Sequence, residues 1–146
     1  MKAQVIDEQQ GQKTFVLAFD KGEEAASGLL AFAKDNNLSA AHFTAVGGFS
    51  DCTLGYFDME KKEYTKIPVN EQVEVFSIDG NIALDQGQPK VHAHTVVGRS
   101  DGTLRGGHLM EAHVRPTLEV VIVESPQRLQ RKTDPETGLT LLSLEA

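Results

Sequence analysis

The sequence predicts an α/β fold of the α+β kind, in which strands dominate and one main helix packs on them. Three observations carry this. Short runs of strand-forming residues recur between turn signals from Lys13 to Glu124. One stretch, opening at Gly22-Glu23-Glu24, sets Ala25, Leu29, Leu30, Phe32 and Ala33 at the spacing of a helical stripe. Asp101-Gly102 lies between two apolar runs, the strongest short signal for an antiparallel hairpin.

In chain order, residues 1–12 are polar and are expected to fray. Lys13–Phe19 is a first strand. The helix follows, with Glu23 and Glu24 in its first turn, where the dipole favours acids, and Asn36-Asn37 at its end. Ala40–Gly48 reads as a strand ending in a glycine pair, with Ser50–Phe57 as its hairpin partner. Glu63–Pro68 is a short edge strand after a charged turn. Val73–Leu84 is a long strand with a bend expected at Asp79-Gly80, and Asp85–Pro89 is a loop. Val91–Val97 is a strand without a breaker. Thr117–Glu124 is almost continuously apolar, which predicts burial on both faces. Residues 128–133 and 138–144 flank a turn at Asp134-Pro135-Glu136-Thr137, a terminal hairpin that would cover a sheet edge or dock on a neighbouring subunit.

The 146 residues suit one domain, spanning 1–146, with a core at about 14–124 and a C-terminal hairpin extension at 125–146. No apolar run has the roughly 18 residues of a membrane span, and the opening residues form no signal-peptide pattern. A cytoplasmic protein with no membrane partner is expected. Cys52 is the only cysteine, so no internal disulfide forms, and a small core or turn role suits it. Fourteen Lys+Arg against 21 Asp+Glu give a charge of −7, which opposes general attraction to nucleic acid.

Four of the five histidines fall between Pro89 and Glu124. His92 and His94 alternate on one strand and so share a face, with Cβ atoms about 7 Å apart. Two imidazoles at that spacing can converge on one ion. They can equally be polar residues on a solvated face. For His108 the register decides. A clean two-residue turn at Asp101-Gly102 sets Thr95 opposite His108 and His92 opposite Glu111. His108 then lies on the wrong face, and Glu111 is the partner of the pair. A bulge at Gly106-Gly107 would instead bring His108 round to His92 and His94. His113, five residues on, is expected to be a buried or interface histidine, and His42 a structural one. Three neutral imidazoles with an open fourth position suit a ligand-binding or catalytic zinc site, although copper, nickel and iron also take imidazole.

Taken together, these motifs resemble the plants and prokaryotes conserved domain, which plants carry beside AT-hook DNA-binding motifs. The likeness runs from about Thr14 to Glu124. It rests on Gly22-Glu23-Glu24, Phe43-Thr44-Ala45-Val46-Gly47-Gly48, Leu54-Gly55-Tyr56-Phe57, Glu74-Val75 with Gly80-Asn81-Ile82, His92-Ala93-His94, Gly106-Gly107-His108-Leu109 and Glu119-Val120-Val121-Ile122. The tail resembles that of bacterial single-domain members. The resemblance implies a largely antiparallel mixed β-sheet with one main helix packed on it, and a homotrimer. It also implies that His92, His94 and His108 form a metal site near the subunit interface.

Three functions are therefore in view. The favoured one is a trimeric metal-binding module, of zinc type, that senses or binds a small-molecule ligand. The second is the DNA-binding or transcription-associated role of the family's label. Against direct binding stand the charge and the lack of the Arg-Gly-Arg-Pro core of an AT-hook. The third is a metal-dependent hydrolase or lyase, with Glu111 as the nearest acid/base candidate.

Overall fold

Alternation of buried and exposed residues along the long inner strands assigns the layers. The computed structural model describes residues 1–144. It contains β1 (Lys2–Gln9), β2 (Gln12–Phe19), α1 (Ala25–Asp35), β3 (Ala40–Asp58), β4 (Glu63–Val69), β5 (Val73–Asp85), β6 (Gln88–Gly98), β7 (Leu104–Glu124), β8 (Gln130–Thr133) and β9 (Thr140–Ser143). All nine strands join one hydrogen-bonded sheet. Its pairings are antiparallel except for β5 with β8, which meet in parallel at Leu84 and Gln130. The architecture is a mixed, mostly antiparallel sheet carrying a single short helix.

One sheet face is apolar and packs on α1. Leu17, Phe43, Ile78, Ile82, Leu118 and Ile122 are buried there beside Leu29 and Phe32 of the helix. Phe15 meets Phe32 edge-to-face at 5.2 Å. Burying a side chain of this size stabilises the fold by about 1.5–3 kcal/mol, so the helical stripe fixes which sheet face is the core. The other face carries the alternate positions, including His42, Asn81, Asp79, His92, His94 and Val96.

Several expectations need correction. The N-terminal residues do not fray: β1 pairs with β2 from Lys2↔Ala18 to Gln9↔Gln12. The helix has no acid in its first turn. Glu24 instead forms the N-cap, accepting from Ala26 N at 2.9 Å and Ser27 N at 2.6 Å. Ala40–Gly48 and Ser50–Phe57 are not a hairpin but one 19-residue strand, β3. The glycine pair inside it admits the neighbouring backbone: a Cβ on Gly47 would lie 2.3 Å from Thr117 O, and one on Gly48 2.4 Å from Arg115 O. The irregularity in β5 falls at Phe76, between Val75 and Ser77, not at Asp79-Gly80. Gly80 is small because the Phe43 ring occupies the space of its Cβ.

The Asp85–Pro89 loop is a two-residue hairpin turn. Gln86 and Gly87, at φ 50° and 79°, join Asp85 to its partner Gln88. Thr117–Glu124 is the second half of β7 and is covered on one face only. Leu118, Val120 and Ile122 are buried, whereas Val121 is 40% exposed. The helix covers one side of the sheet and leaves the other to whatever packs there. The terminal hairpin forms as expected, with β8 antiparallel to β9 and its edge on β5.

Candidate metal centre

The site begins with the geometry of one turn. Arg99 N bonds Thr103 O, and Gly102 N bonds Arg99 O, both at 2.9 Å. Gly102 has φ +80°. This is a three-residue loop, Ser100-Asp101-Gly102, with a left-handed residue at its end. The two-residue turn expected at Asp101-Gly102 is thus one residue too short. Pairing then runs without a break through Gly98↔Leu104, Val96↔Gly106 and Thr95↔Gly107 to His94↔His108. The bulge expected at Gly106-Gly107 is absent, because the turn already supplies the extra residue that sets His108 on the shared face.

Across β5, His92 and His94 pair with Asn81 and Asp79. Thr95, buried between them and the loop, donates from its hydroxyl to Ser77 O at 2.9 Å and fastens β6 to β5. The result is convergence. The imidazole centroids of His92, His94 and His108 lie 5.0, 5.3 and 5.7 Å apart, and one ring nitrogen from each falls within 4.8 Å of the others. A tetrahedral ion with nitrogen at about 2.0–2.1 Å holds its donors roughly 3.4 Å apart, so ring rotations of about an ångström complete the set.

The electrostatics suit neutral donors. Burial, then the charges of His92 and His94, push His108 down to about 4. Burial, then His94 and Arg131, hold His92 below the usual histidine range. Both rings are therefore neutral at pH 7, with lone pairs free to coordinate. Nδ1 of His108 is buried and has no hydrogen-bond partner. A buried polar atom left unpaired is costly, and a cation is one partner that would satisfy this site. The residues fit a divalent metal of the imidazole-preferring kind.

Glu111 is outside the cluster. An irregularity in β7 skips Met110, between Leu54↔Leu109 and Thr53↔Glu111. The exposed Glu111 carboxylate lies 3.8 Å from Nε2 of His113. The register that would have faced it with His92 is not adopted. His113 is half-exposed rather than buried, and its Nδ1 lies 2.7 Å from Asp51. The Asp51 carboxylate beside it raises its pKa above the ordinary value. His42 is exposed, opposite Asn81 and Val123, and does not reach the three rings. Cys52 is buried, and burial followed by the Asp51 charge pushes its thiol up to about 11, so it is no nucleophile.

Sequence reasoning missed the residues that wall the site. Tyr64 stacks its ring 5.0 Å from that of His108. Lys90 and Arg131, with residues 138–141 of the terminal hairpin, close a cavity beside His92 and His108. No local pattern marks them, since Arg131 is 37 positions or more from His92 and His94 and arrives only when the hairpin folds back on β5.

Comparison with known proteins agrees with this architecture. A 1.60 Å crystal structure of a plant- and prokaryote-conserved (PPC) protein from Pyrococcus horikoshii is 33% identical, with TM-score 0.84, over 91% of this chain and 92% of that one. A metal-containing protein from Archaeoglobus fulgidus is 32% identical, with TM-score 0.83, over 97% and 96%. A protein from Bacteroides thetaiotaomicron described as a candidate DNA-binding protein is 28% identical, with TM-score 0.87, over 91% and 93%. No curated protein matches. The family model of the Plants and Prokaryotes Conserved (PCC) domain matches residues 6–126, most of the chain. By that match and by its 33% identity to a solved PPC protein over most of both chains, this chain belongs to the plants and prokaryotes conserved domain family.

Proposed function

We propose that this chain is a homotrimeric metal-binding module, which takes a divalent cation, zinc first, on His92, His94 and His108 and holds a small ligand at the fourth position. The observation that carries it is the convergence of three imidazoles, one of which, His108, keeps a buried and partnerless Nδ1. Three imidazole donors leave a coordination position for a ligand, which a closed structural site does not. The description of the Archaeoglobus relative as metal-containing supports the reading. Once bound, such a cation would act as a Lewis acid toward that ligand.

The trimer is supported by the sheet face opposite α1. Val46 and Phe76 are each 53% exposed there, with Val121 at 40% and Val96 at 38%. An apolar strip of this kind marks an interaction surface. It borders the histidines, since Val96 follows His94 on the same face of β6.

The test is metal per subunit by plasma mass spectrometry on tag-free protein, beside His92→Ala and His108→Ala. Near-stoichiometric metal in the wild type, lost from both variants, is expected, and the same run identifies the element. No metal in the wild type, even after zinc is offered, would overturn the proposal. The description of the Bacteroides relative favours a second reading, DNA binding. The charge of −7 opposes it. No salt-sensitive gel shift is expected at low ionic strength, and a clear one would reverse the order of the two readings.

A further inference from the structure

The cavity beside the histidines contains a positive charge that no carboxylate in the described chain pairs with. Arg131 is only 7% exposed. Its Nη2 donates to Asn81 Oδ1, its Nη1 donates to Thr140 O at 3.2 Å, and its Nε is buried without a partner. These are neutral acceptors. Among the described residues no carboxylate reaches ion-pair distance of Arg131. Asp85, the acid that acts on it from farther off, is held by Lys90 at 3.0 Å. Lys90 takes the direct contact with Asp85, which leaves the guanidinium with no carboxylate of its own.

Its position gives that charge a use. Asn81 is the cross-strand partner of His92, so the bond to Asn81 fixes the guanidinium over the sheet face that carries the three imidazoles. Arg131, His92 and His108 line one cavity of about 270 Å³ together with Lys90, Leu139 and Leu141. A buried charge is costly unless an opposite charge meets it. A divalent cation on the histidines would add more positive charge to the same small, poorly solvated space, and the two would repel. An anion held in the cavity answers both.

We propose that this cavity takes a small organic carboxylate, held by the cation and by Arg131; this rests on the metal reading above. The guanidinium fork matches a carboxylate in shape. Leu139 and Leu141 offer apolar wall to a short carbon skeleton, which inorganic phosphate lacks. The volume limits the ligand to a small metabolite. Arg131, Leu139 and Leu141 all lie beyond residue 126, where the family match ends. The terminal hairpin is therefore the element that sets ligand choice on a scaffold built by the rest of the chain.

The test uses cobalt(II)-loaded full-length protein, whose visible spectrum changes when an anion enters the coordination sphere. Wild type, Arg131→Gln and Arg131→Lys are titrated with butyrate, butyramide and inorganic phosphate. Butyrate is expected to bind the wild type at least tenfold more tightly than it binds R131Q, with R131K between them. Butyramide should leave the spectrum unchanged, and phosphate should bind more weakly than butyrate. If R131Q does not fold, R131K decides the matter. Unchanged butyrate affinity in cobalt-loaded variants overturns the inference alone, and would mean that a neighbouring copy neutralises Arg131. Phosphate binding as tight as butyrate overturns the carboxylate assignment. Failure of the wild type to take up cobalt overturns the metal reading and this inference with it.

Discussion

His94 and His108 face each other directly across the antiparallel pair of β6 and β7. That relationship depends on the loop Ser100-Asp101-Gly102, whose third residue shifts β7 by one position relative to a two-residue turn. The three-histidine cluster is thus a consequence of loop length. The nearby glycines have a different job, and this can be tested.

Gly106→Ala is expected to change stability by less than about 0.5 kcal/mol, because its Cβ would meet nothing closer than Thr95 O at 3.4 Å. Gly107→Ala is expected to cost about 1–3 kcal/mol, since its Cβ would lie 2.8 Å from Gly55 O and 3.2 Å from Leu54 Cβ. Urea unfolding of the two variants checks the contrast. Equal costs would mean that both glycines serve a backbone irregularity after all.

The ion pair of His113 with Asp51 predicts a pH dependence. His113 is raised above its ordinary value, chiefly by the Asp51 carboxylate, and Asp51 is lowered, chiefly by His113. The histidine contribution is therefore fully present below the unfolded pKa of about 6.5 and is lost as pH rises through the folded value. The aspartate contribution is present above the ordinary carboxylate pKa and is lost as pH falls through its lowered one. Both groups are more than a third exposed, so solvent screening keeps the stability effect well under 1 kcal/mol. An NMR titration should find His113 above 6.5 in the wild type and moved down in Asp51→Asn. An unmoved value would remove the pair from the account.

Glu24 links the helix to the sheet. One carboxylate oxygen accepts from both Ala26 N and Ala112 N at 2.9 Å, and the other accepts from Ser27 N. Glu24→Ala removes a cap and leaves the Ala112 amide without this acceptor. A loss of about 2 kcal/mol in chemical denaturation is expected. A loss below about 0.5 kcal/mol would show that water replaces the carboxylate at no cost.

The exposed strip opposite α1 predicts an assembly phenotype. Val121→Asp or Phe76→Asp should convert the proposed trimer to monomer in sedimentation velocity while leaving the fold intact by circular dichroism. These positions are exposed in the isolated chain, at 40% and 53%, so the substitution does not disturb the core. Unchanged sedimentation would place the subunit contact elsewhere.

The sequence by itself determined whatever depends on a short period. Alternation set His92 and His94 on one face, the helical stripe of Leu29 and Phe32 marked the core side, and the terminal turn at Asp134-Pro135 announced its hairpin. Tertiary structure decided whatever depends on register or on distant segments. The parity of His108 hung on one loop residue, whereas the sequence pointed to a two-residue turn at Asp101-Gly102 or a bulge at Gly106-Gly107. Glu111 was drawn toward His113 by the irregularity at Met110, which no local signal marks. The merging of two expected strands into β3 required the backbone of β7 to pass against Gly47 and Gly48. Arg131 reached Asn81 and the cavity beside His92 only because the hairpin folds onto β5. Side-chain periodicity is written in neighbouring residues, whereas strand register and the closing of a cavity are fixed by contacts between residues far apart in the chain.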